Sequence, residues 1–155
     1  MRQFFEAVAN GRLFELGSTC KEEALCSLAQ RLRDNLEVAH EADFVAEIRR
    51  REQEFNTGIG CGVAVPHLRA LCEDGPVYCV LGWSGAGIDY GAPDGEPVHL
   101  IVMYYIPDAQ RNAYLREIAA LVKLLMKRDV AGCLVQVRDL GAMHAFLMGL
   151  GNGCH

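Results

Sequence analysis

The sequence of 155 residues lacks several features that define common protein classes. Lys and Arg total 15 against 20 Asp and Glu, a formal net charge of -5, whereas a nucleic-acid-binding surface needs basic residues in excess. No apolar run approaches the roughly 18 residues of a membrane span, and the first residues have no signal-peptide core. We therefore expect no nucleic-acid binding and no membrane insertion, and the acidic balance favours a basic partner.

The cysteines follow no recognisable spacing pattern. There are seven, an odd count, and no two of them form a C-x-x-C pair. This distribution predicts neither a disulfide framework nor a zinc site, and it is typical of the reducing cytoplasm. No metal and no cofactor are expected. The length and the 51% hydrophobic content predict one domain over residues 1–155 with its own core.

Hydrophobic periodicity predicts both strands and helices. Apolar, β-branched and aromatic runs predict strands over residues 12–16, 76–83 and 98–106, and glycine and proline predict a turn-rich segment over 84–97. Apolar stripes predict helices over residues 19–33, 43–54, 109–127 and 139–150. Thr19 and Glu22 have the spacing of a capping box at the first of these helices. The order of elements predicts an α+β domain built as a layered α/β sandwich.

The segment that most constrains function is 57–67, which reads TGIGCGVAVPH. It contains no Gly-Lys-Ser/Thr ending, and Val63 stands where a dinucleotide fingerprint needs its third glycine, so common nucleotide-binding loops are disfavoured. Alternating glycines allow successive backbone amides to face one concavity and bind an anion. Pro66 fixes the backbone next to His67. The segment predicts a loop that presents a histidine rigidly beside an anion site.

These residues resemble a known family. The pattern closely resembles the signature of the IIA domains of the bacterial phosphoenolpyruvate-dependent phosphotransferase system, in the fructose, mannitol and nitrogen-regulatory branch. The pair Arg51–Glu52 precedes it, as in that family. The matching positions are Thr57, Gly58, Gly60, Gly62, Ala64, Pro66 and His67. The resemblance implies a three-layer α/β/α sandwich whose mixed sheet has helices on both faces.

The resemblance also implies site roles and partners. His67 is expected to accept a phosphoryl group from the carrier protein HPr, or from its nitrogen-branch counterpart, and to pass it to a cysteine of a IIB domain. Arg51 is expected to supply the guanidinium that binds phosphoryl oxygens in a bidentate way. Thr57, Gly58, Gly60 and Gly62 are expected to form the phosphate-binding loop. Glu52 and Tyr114 are expected to support the site.

Tyr114 marks a departure from the family pattern. Many members have a second histidine that faces the phosphorylated one, and the matching position here is Tyr114, or Asn112 if the alignment slips by two residues. A phenol donates a hydrogen bond but stays uncharged near neutral pH, so it does not replace a cationic imidazole.

Three functions are consistent with this pattern. The first is a phosphoryl carrier in sugar uptake, with His67 as the covalent intermediate. The second is a regulatory protein of the nitrogen branch, whose partners respond to the phosphorylation state of His67. The third is a binding module that is never phosphorylated, which the intact His67 motif disfavours.

Overall fold

The computed structural model describes residues 1–36, 43–70 and 74–153, which form alternating helices and strands. The helices are α1 Arg2–Ala9, α2 Lys21–Asn35, α3 Phe44–Glu54, α4 Arg111–Leu125, α5 Arg128–Leu134 and α6 Leu140–Asn152. The strands are β1 Leu13–Glu15, β2 Gly58–Gly60, β3 Val63–Ala64, β4 His67–Ala70, β5 Tyr78–Ile88 and β6 Val98–Pro107. A short 3₁₀ turn, Asp108–Gln110, joins β6 to α4.

Strand β6 organises the six-stranded mixed sheet of the described residues, whose order is β1-β5-β6-β3-β2 with β4 also paired to β6. It runs antiparallel to β5 and parallel to β3 and β4. Val63 pairs with Leu100 near the start of β6, and His67 pairs with Tyr104 further along the same strand. Pro66, which has no N–H to donate, lies in the break between β3 and β4. His67 therefore enters the sheet at a fixed register beside the central strand.

The sheet separates two hydrophobic cores, because side chains of successive strand residues point to opposite faces. On one face, α1, α4, α5 and α6 contribute buried residues such as Phe4, Leu121 and Met143. On the other face, α2 and α3 contribute residues such as Leu28 and Ile48. The prediction of a three-layer sandwich with a mixed sheet and helices on both faces is confirmed.

The glycine-rich segment forms a tight hairpin rather than an open loop. Strands β2 and β3 pair antiparallel, with Gly60 opposite Val63, and Cys61 and Gly62 form the two-residue turn. Both turn residues have positive φ, 56° at Cys61 and 77° at Gly62, as a type I′ turn requires. Cys61 is the sole non-glycine residue with positive φ among the described residues. The glycines thus serve the turn that delivers the chain to His67.

Several boundaries differ from the sequence-based predictions. Residues 84–88, predicted to be turn-rich, continue β5, and the irregular pairing between Trp83 and Ile88 accommodates the glycines there. The capping box predicted at Thr19 and Glu22 is wrong. Helix α2 begins at Lys21, and the Ser18 hydroxyl instead accepts a hydrogen bond from the N–H of Cys20. Helices α1 and α5 were not predicted. They have only 8 and 7 residues, and hydrophobic periodicity is a weak signal in such short segments.

The two-core architecture makes a stability prediction on one helix. Leu121 of α4 is fully buried against the sheet, whereas Leu115 of the same helix is 49% exposed. Leu121→Ala is expected to lower the free energy of unfolding by about 2–5 kcal/mol, because it leaves a cavity. Leu115→Ala is the matched control and is expected to change it by less than about 1 kcal/mol. Urea denaturation measures both, and equal effects would contradict the assigned packing of α4.

Candidate functional site

His67 is the first residue of β4 and stands half-buried at the edge of the core. The next residue, Leu68, points into the core beneath α2 and α3, so His67 and Arg69 face the opposite side of the sheet. There the imidazole lies against Tyr114 of α4, with ring centroids 5.7 Å apart and planes tilted by 35°. Tyr114 in turn packs edge-on against Tyr104, the strand partner of His67. The ring is held by aromatic neighbours while part of it stays open to solvent.

A cleft of about 120 Å³, which we call the Arg51 cleft, opens on one side of His67. The last turns of α3 and the residues after it form its wall. Its lining residues are Ile48, Arg51, Glu52, Glu54, Phe55, Thr57, Pro66 and His67. The structure thus brings together four of the predicted site residues, His67, Arg51, Glu52 and Thr57. The Nε of Arg51 donates to Glu47 over 2.9 Å, one turn back along α3.

Glu52 is the centre of a hydrogen-bonded network behind this cleft. Its side chain is 7% exposed and pairs with Lys21 of α2 over 2.8 Å. It also accepts hydrogen bonds from both the N–H and the hydroxyl of Thr57, at 2.9 and 2.7 Å. Since the Thr57 proton goes to Glu52, the Tyr90 hydroxyl is the donor in its 2.8 Å contact with Thr57. The network joins α2, α3 and the residue that precedes β2.

The amides of the glycine segment are used differently from the sequence-based prediction. The N–H of Gly58 donates to the Asn56 side chain over 2.8 Å, and the N–H of Cys61 donates to Asp94 over 2.8 Å. Hydrogen bonds from backbone amides, that of Cys61 first and that of Glu96 second, lower the pKa of Asp94. Acceptors within the chain therefore satisfy amides that we expected to be free for phosphate.

None of the three glycines, Gly58, Gly60 and Gly62, lines either cleft beside His67. A side chain on Gly60 would meet the Asp94 carboxylate at 3.1 Å, which shows how closely the turn and Asp94 pack. Phosphate binding by Thr57, Gly58, Gly60 and Gly62 stays a prediction, and the geometry gives the glycines a role in shaping the hairpin.

A second cleft of about 140 Å³, which we call the Arg69 cleft, opens on the other side of His67. It is lined by His67, Arg69, Ile106, Arg111, Tyr114 and Leu115. Sequence reasoning named Tyr114 but missed both arginines. Strand alternation places Arg69 on the face of His67, and a spacing of three residues places Arg111 near Tyr114 on α4, so these offsets were the available signals. Asn112, the alternative to Tyr114, is exposed and lines neither cleft.

The surroundings of His67 keep its imidazole uncharged. Partial burial lowers its pKa below the ordinary value of 6.5, the positive charges of Arg51 and Arg69 lower it further, and Glu52 opposes them. At neutral pH the ring therefore offers one unprotonated nitrogen as a nucleophile. The overall acidic charge of the chain does not describe this site, where arginines approach from both sides.

Within residues 1–36, 43–70 and 74–153, no three His, Cys, Asp or Glu side chains are grouped as metal ligands. No helix in the same part of the chain has the length and apolar content needed to cross a membrane. His99 of β6 has its Nδ1 2.8 Å from the carbonyl oxygen of Ser84.

The domain is a layered α/β sandwich in which His67, neutral and partly accessible, lies between arginines. Such a site is suited to a histidine that acts as a nucleophile. Residues 10–148 match the family described as phosphoenolpyruvate-dependent sugar phosphotransferase system, EIIA 2. The chain belongs to this family, and the resemblance seen in the segment 57–67 is confirmed.

The chain is similar both to sugar-specific components of the phosphotransferase system and to nitrogen regulatory proteins. A fructose-specific EIIABC component of the phosphotransferase system from Bacillus subtilis is 32% identical over 96 residues, which are 62% of this chain and 15% of that protein. A nitrogen regulatory protein from Bradyrhizobium diazoefficiens is 28% identical over 127 residues, which are 82% of each chain. The chain thus spans a small part of the first relative and most of the second.

Solved structures share the fold. Nitrogen regulatory protein IIA-Ntr from Neisseria meningitidis has a TM-score of 0.73 at 23% identity, covering 87% of this chain and 91% of that one. A complex of enzyme IIA-mannitol with phosphorylated enzyme IIB-mannitol from Escherichia coli contains a chain with a TM-score of 0.65 at 20% identity, covering 89% and 94%. At these identities the likeness concerns the fold alone.

The charges around His67 predict its titration. In the wild type the pKa of His67 is expected below 6.5, and Arg51→Gln is expected to raise it because a nearby positive charge is lost. Glu52→Gln is expected to lower it further. NMR titration of the ring protons measures all three, with Arg116→Gln of the exposed face of α4 as the control. A wild-type pKa at or above 6.5, or an Arg51→Gln shift downward, would contradict this assignment.

The lowered pKa of His67 also affects the stability of the protein in acid. Since the unfolded chain binds a proton at His67 near pH 6.5 and the folded chain binds it only at lower pH, this residue makes folding less favourable as the pH falls through that window. His67→Gln is expected to flatten this part of the stability profile, measured as the free energy of unfolding between pH 7 and about pH 5. An unchanged slope in the variant would contradict the lowered pKa.

The Glu52 network makes a separate prediction at Thr57. Thr57→Val removes a donor to Glu52 and the acceptor for the Tyr90 hydroxyl, so it is expected to destabilise the fold by about 1–3 kcal/mol. Thr19→Val, the same change at an exposed position, is expected to have an effect within about 0.5 kcal/mol. Equal midpoints of chemical denaturation for the two variants would show that the network contributes little.

Proposed function

We propose that His67 carries a phosphoryl group between two partner proteins of a phosphoenolpyruvate-dependent phosphotransferase system. The observation that supports it most is the neutral, half-buried imidazole with arginines on both sides. Membership of the EIIA 2 family supports the same chemistry. Such a relay runs in the cytoplasm, which is where we propose the protein works.

The proposed transfer balances at each step. The unprotonated nitrogen of His67 attacks the phosphorus of a phosphohistidine on HPr or its nitrogen-branch counterpart. The new P–N bond forms as the donor P–N bond breaks, and the donor imidazole leaves with that electron pair. In the second step, a cysteine thiolate of a IIB domain attacks the phosphorus, and the His67 ring leaves as a neutral imidazole. The transition state is loose, so positioning and charge stabilisation supply most of the rate.

The residues of the Arg51 cleft have distinct proposed roles in this reaction. Arg51 lines the same cleft as His67, and its Nε donates a hydrogen bond to Glu47. The other guanidinium N–H groups remain for phosphoryl oxygens. Glu52 and Thr57 bond to each other and fix the cleft wall, so we assign them to positioning. Tyr114 packs against the ring and limits its rotation.

Exposed apolar side chains beside His67 support a protein partner. Phe55, at the mouth of the Arg51 cleft, is 78% exposed, and Leu115 lies exposed in the Arg69 cleft. Large apolar groups in such positions are typical of docking surfaces. A macromolecular donor that covers both clefts would bury them and exclude water from the transfer.

A nitrogen-branch regulatory role is the second candidate. The observation that favours it is the match to the nitrogen regulatory protein of Bradyrhizobium diazoefficiens over 82% of both chains. In this function the phosphoryl group changes the charge of one surface spot by nearly two units, and a partner protein distinguishes the two states.

The test of the proposal is a phosphorylation assay. The purified chain is incubated with labelled phosphoenolpyruvate, the first enzyme of the system and HPr or its nitrogen-branch counterpart. We expect acid-labile label on the wild type, loss of label to background in His67→Gln, and full label in His144→Gln, the control at an exposed histidine. An unlabelled wild type, or label that persists in His67→Gln, would contradict the proposal.

A second measurement separates the two roles. Transfer of the label onward to the cysteine of a IIB domain would select sugar uptake. Absence of that transfer, with another protein captured only by one phosphorylation state of the chain, would select regulation.

A further inference from the structure

The Arg69 cleft differs from the Arg51 cleft in its charge. Among the described residues that line it, two are arginines and none is a carboxylate. Glu52 and Glu54 line the Arg51 cleft, where they pair with Lys21 and Arg50, and Arg69 of the Arg69 cleft pairs with Asp108. Both clefts share His67. A group that carries nearly two negative charges is repelled by carboxylates and attracted by guanidinium groups at these short distances. Arg51 pairs with Glu47, whereas Arg111 has no ion-pair partner among the described residues, so the Arg69 cleft holds an uncompensated positive charge for the phosphoryl oxygens.

Both arginines of this cleft have donors to spare. Arg111, exposed at the start of α4, forms no ion pair or hydrogen bond through its side chain within the part of the chain that the structure describes. Arg69 is 31% exposed and pairs with Asp108 through one terminal nitrogen, at 3.2 Å. Since a guanidinium has five N–H donors, this pair leaves most of Arg69 available. Two forks of this kind match the geometry of a phosphoryl group.

Tyr114 adds a neutral donor to the same cleft. Its hydroxyl has no hydrogen-bond partner among residues 1–36, 43–70 and 74–153. Burial, with a smaller contribution from Cys79, raises the pKa of Tyr114 to about 12, so the hydroxyl keeps its proton at neutral pH.

We propose that the Arg69 cleft is part of the phosphoryl-binding site of this domain, in which Arg69 and Arg111 bind oxygens of the group on His67 in addition to Arg51, and Tyr114 donates a hydrogen bond to it. This inference rests on the proposed function and adds to it a second set of binding residues opposite Arg51. The two guanidinium groups supply the positive charge that a phenol at position 114 does not. No bond is made or broken by these residues, which act by charge and position.

The first experiment tests the cleft without any phosphorylation. Inorganic phosphate is titrated into the unphosphorylated chain, and NMR follows the ring signals of His67 and Tyr114. We expect saturable shifts in the wild type, and a dissociation constant raised at least about fivefold by Arg69→Gln or Arg111→Gln, because each loses a charge-assisted contact. Arg116→Gln, on the exposed face of the same helix, is the matched control and is expected to bind phosphate like the wild type.

The second experiment measures transfer itself. The rate at which phosphorylated HPr labels His67 is expected to fall at least about tenfold in the double variant Arg69→Gln/Arg111→Gln. The double variant is also expected to change the phosphorus chemical shift of the phosphohistidine, a signature that a purely structural role would not produce. Arg116→Gln is expected to match the wild type in both measurements.

The outcomes separate this inference from the proposed function. If His67 is labelled and the double variant matches Arg116→Gln in phosphate binding and transfer rate, the Arg69 cleft is not part of the binding site, although the proposed function stands. If the wild type is never labelled but binds phosphate in a manner that requires Arg111, the proposed function fails and the anion site stands. Ring signals that do not move with phosphate in the wild type would overturn the inference.

Discussion

The site depends on keeping one imidazole uncharged between guanidinium groups. Burial and the charges of Arg51 and Arg69 all act against protonation of His67, and the opposing charge of Glu52 is the smallest of the contributions named. The same positive charges that hold the ring neutral would attract a phosphoryl group and stabilise it once bound. In the proposed transfer, a single electrostatic arrangement would prepare the nucleophile before transfer and bind the product afterwards.

The fold keeps this arrangement in place through contacts on three sides. Parallel pairing with β6 fixes His67 opposite Tyr104, and Tyr114 of α4 covers the ring. The Glu52 network ties the α3 wall to α2 and to Thr57. Asp94 holds the Cys61 amide of the hairpin that leads to β4. Because these contacts come from different layers of the sandwich, the position of His67 depends on the packing of those layers.

The order of elements, read from hydrophobic periodicity, predicted a layered α/β sandwich. The family resemblance implied its three layers and four residues of the Arg51 cleft, His67, Arg51, Glu52 and Thr57. Neither predicted Arg69 and Arg111 as site residues, since the pairing of β4 with β6 and the start of α4 bring them together only in three dimensions. The hydrogen bond from Cys61 to Asp94 joins residues 33 positions apart, so the occupied amides of the glycine segment were equally out of reach. Local patterns single out His67, and long-range contacts decide what surrounds it.

The central claim is that a nitrogen of the neutral His67 ring forms the bond to phosphorus. The most direct measurement is nitrogen NMR of histidine-labelled protein at pH 7, recorded before and after the relay enzymes and phosphoenolpyruvate are added. Before addition, the account predicts two distinct nitrogen environments for His67, one protonated and one not. After addition, it predicts coupling of one of these nitrogens to phosphorus. Two equivalent, protonated nitrogens in the resting protein, or coupling that appears on a different histidine, would contradict it.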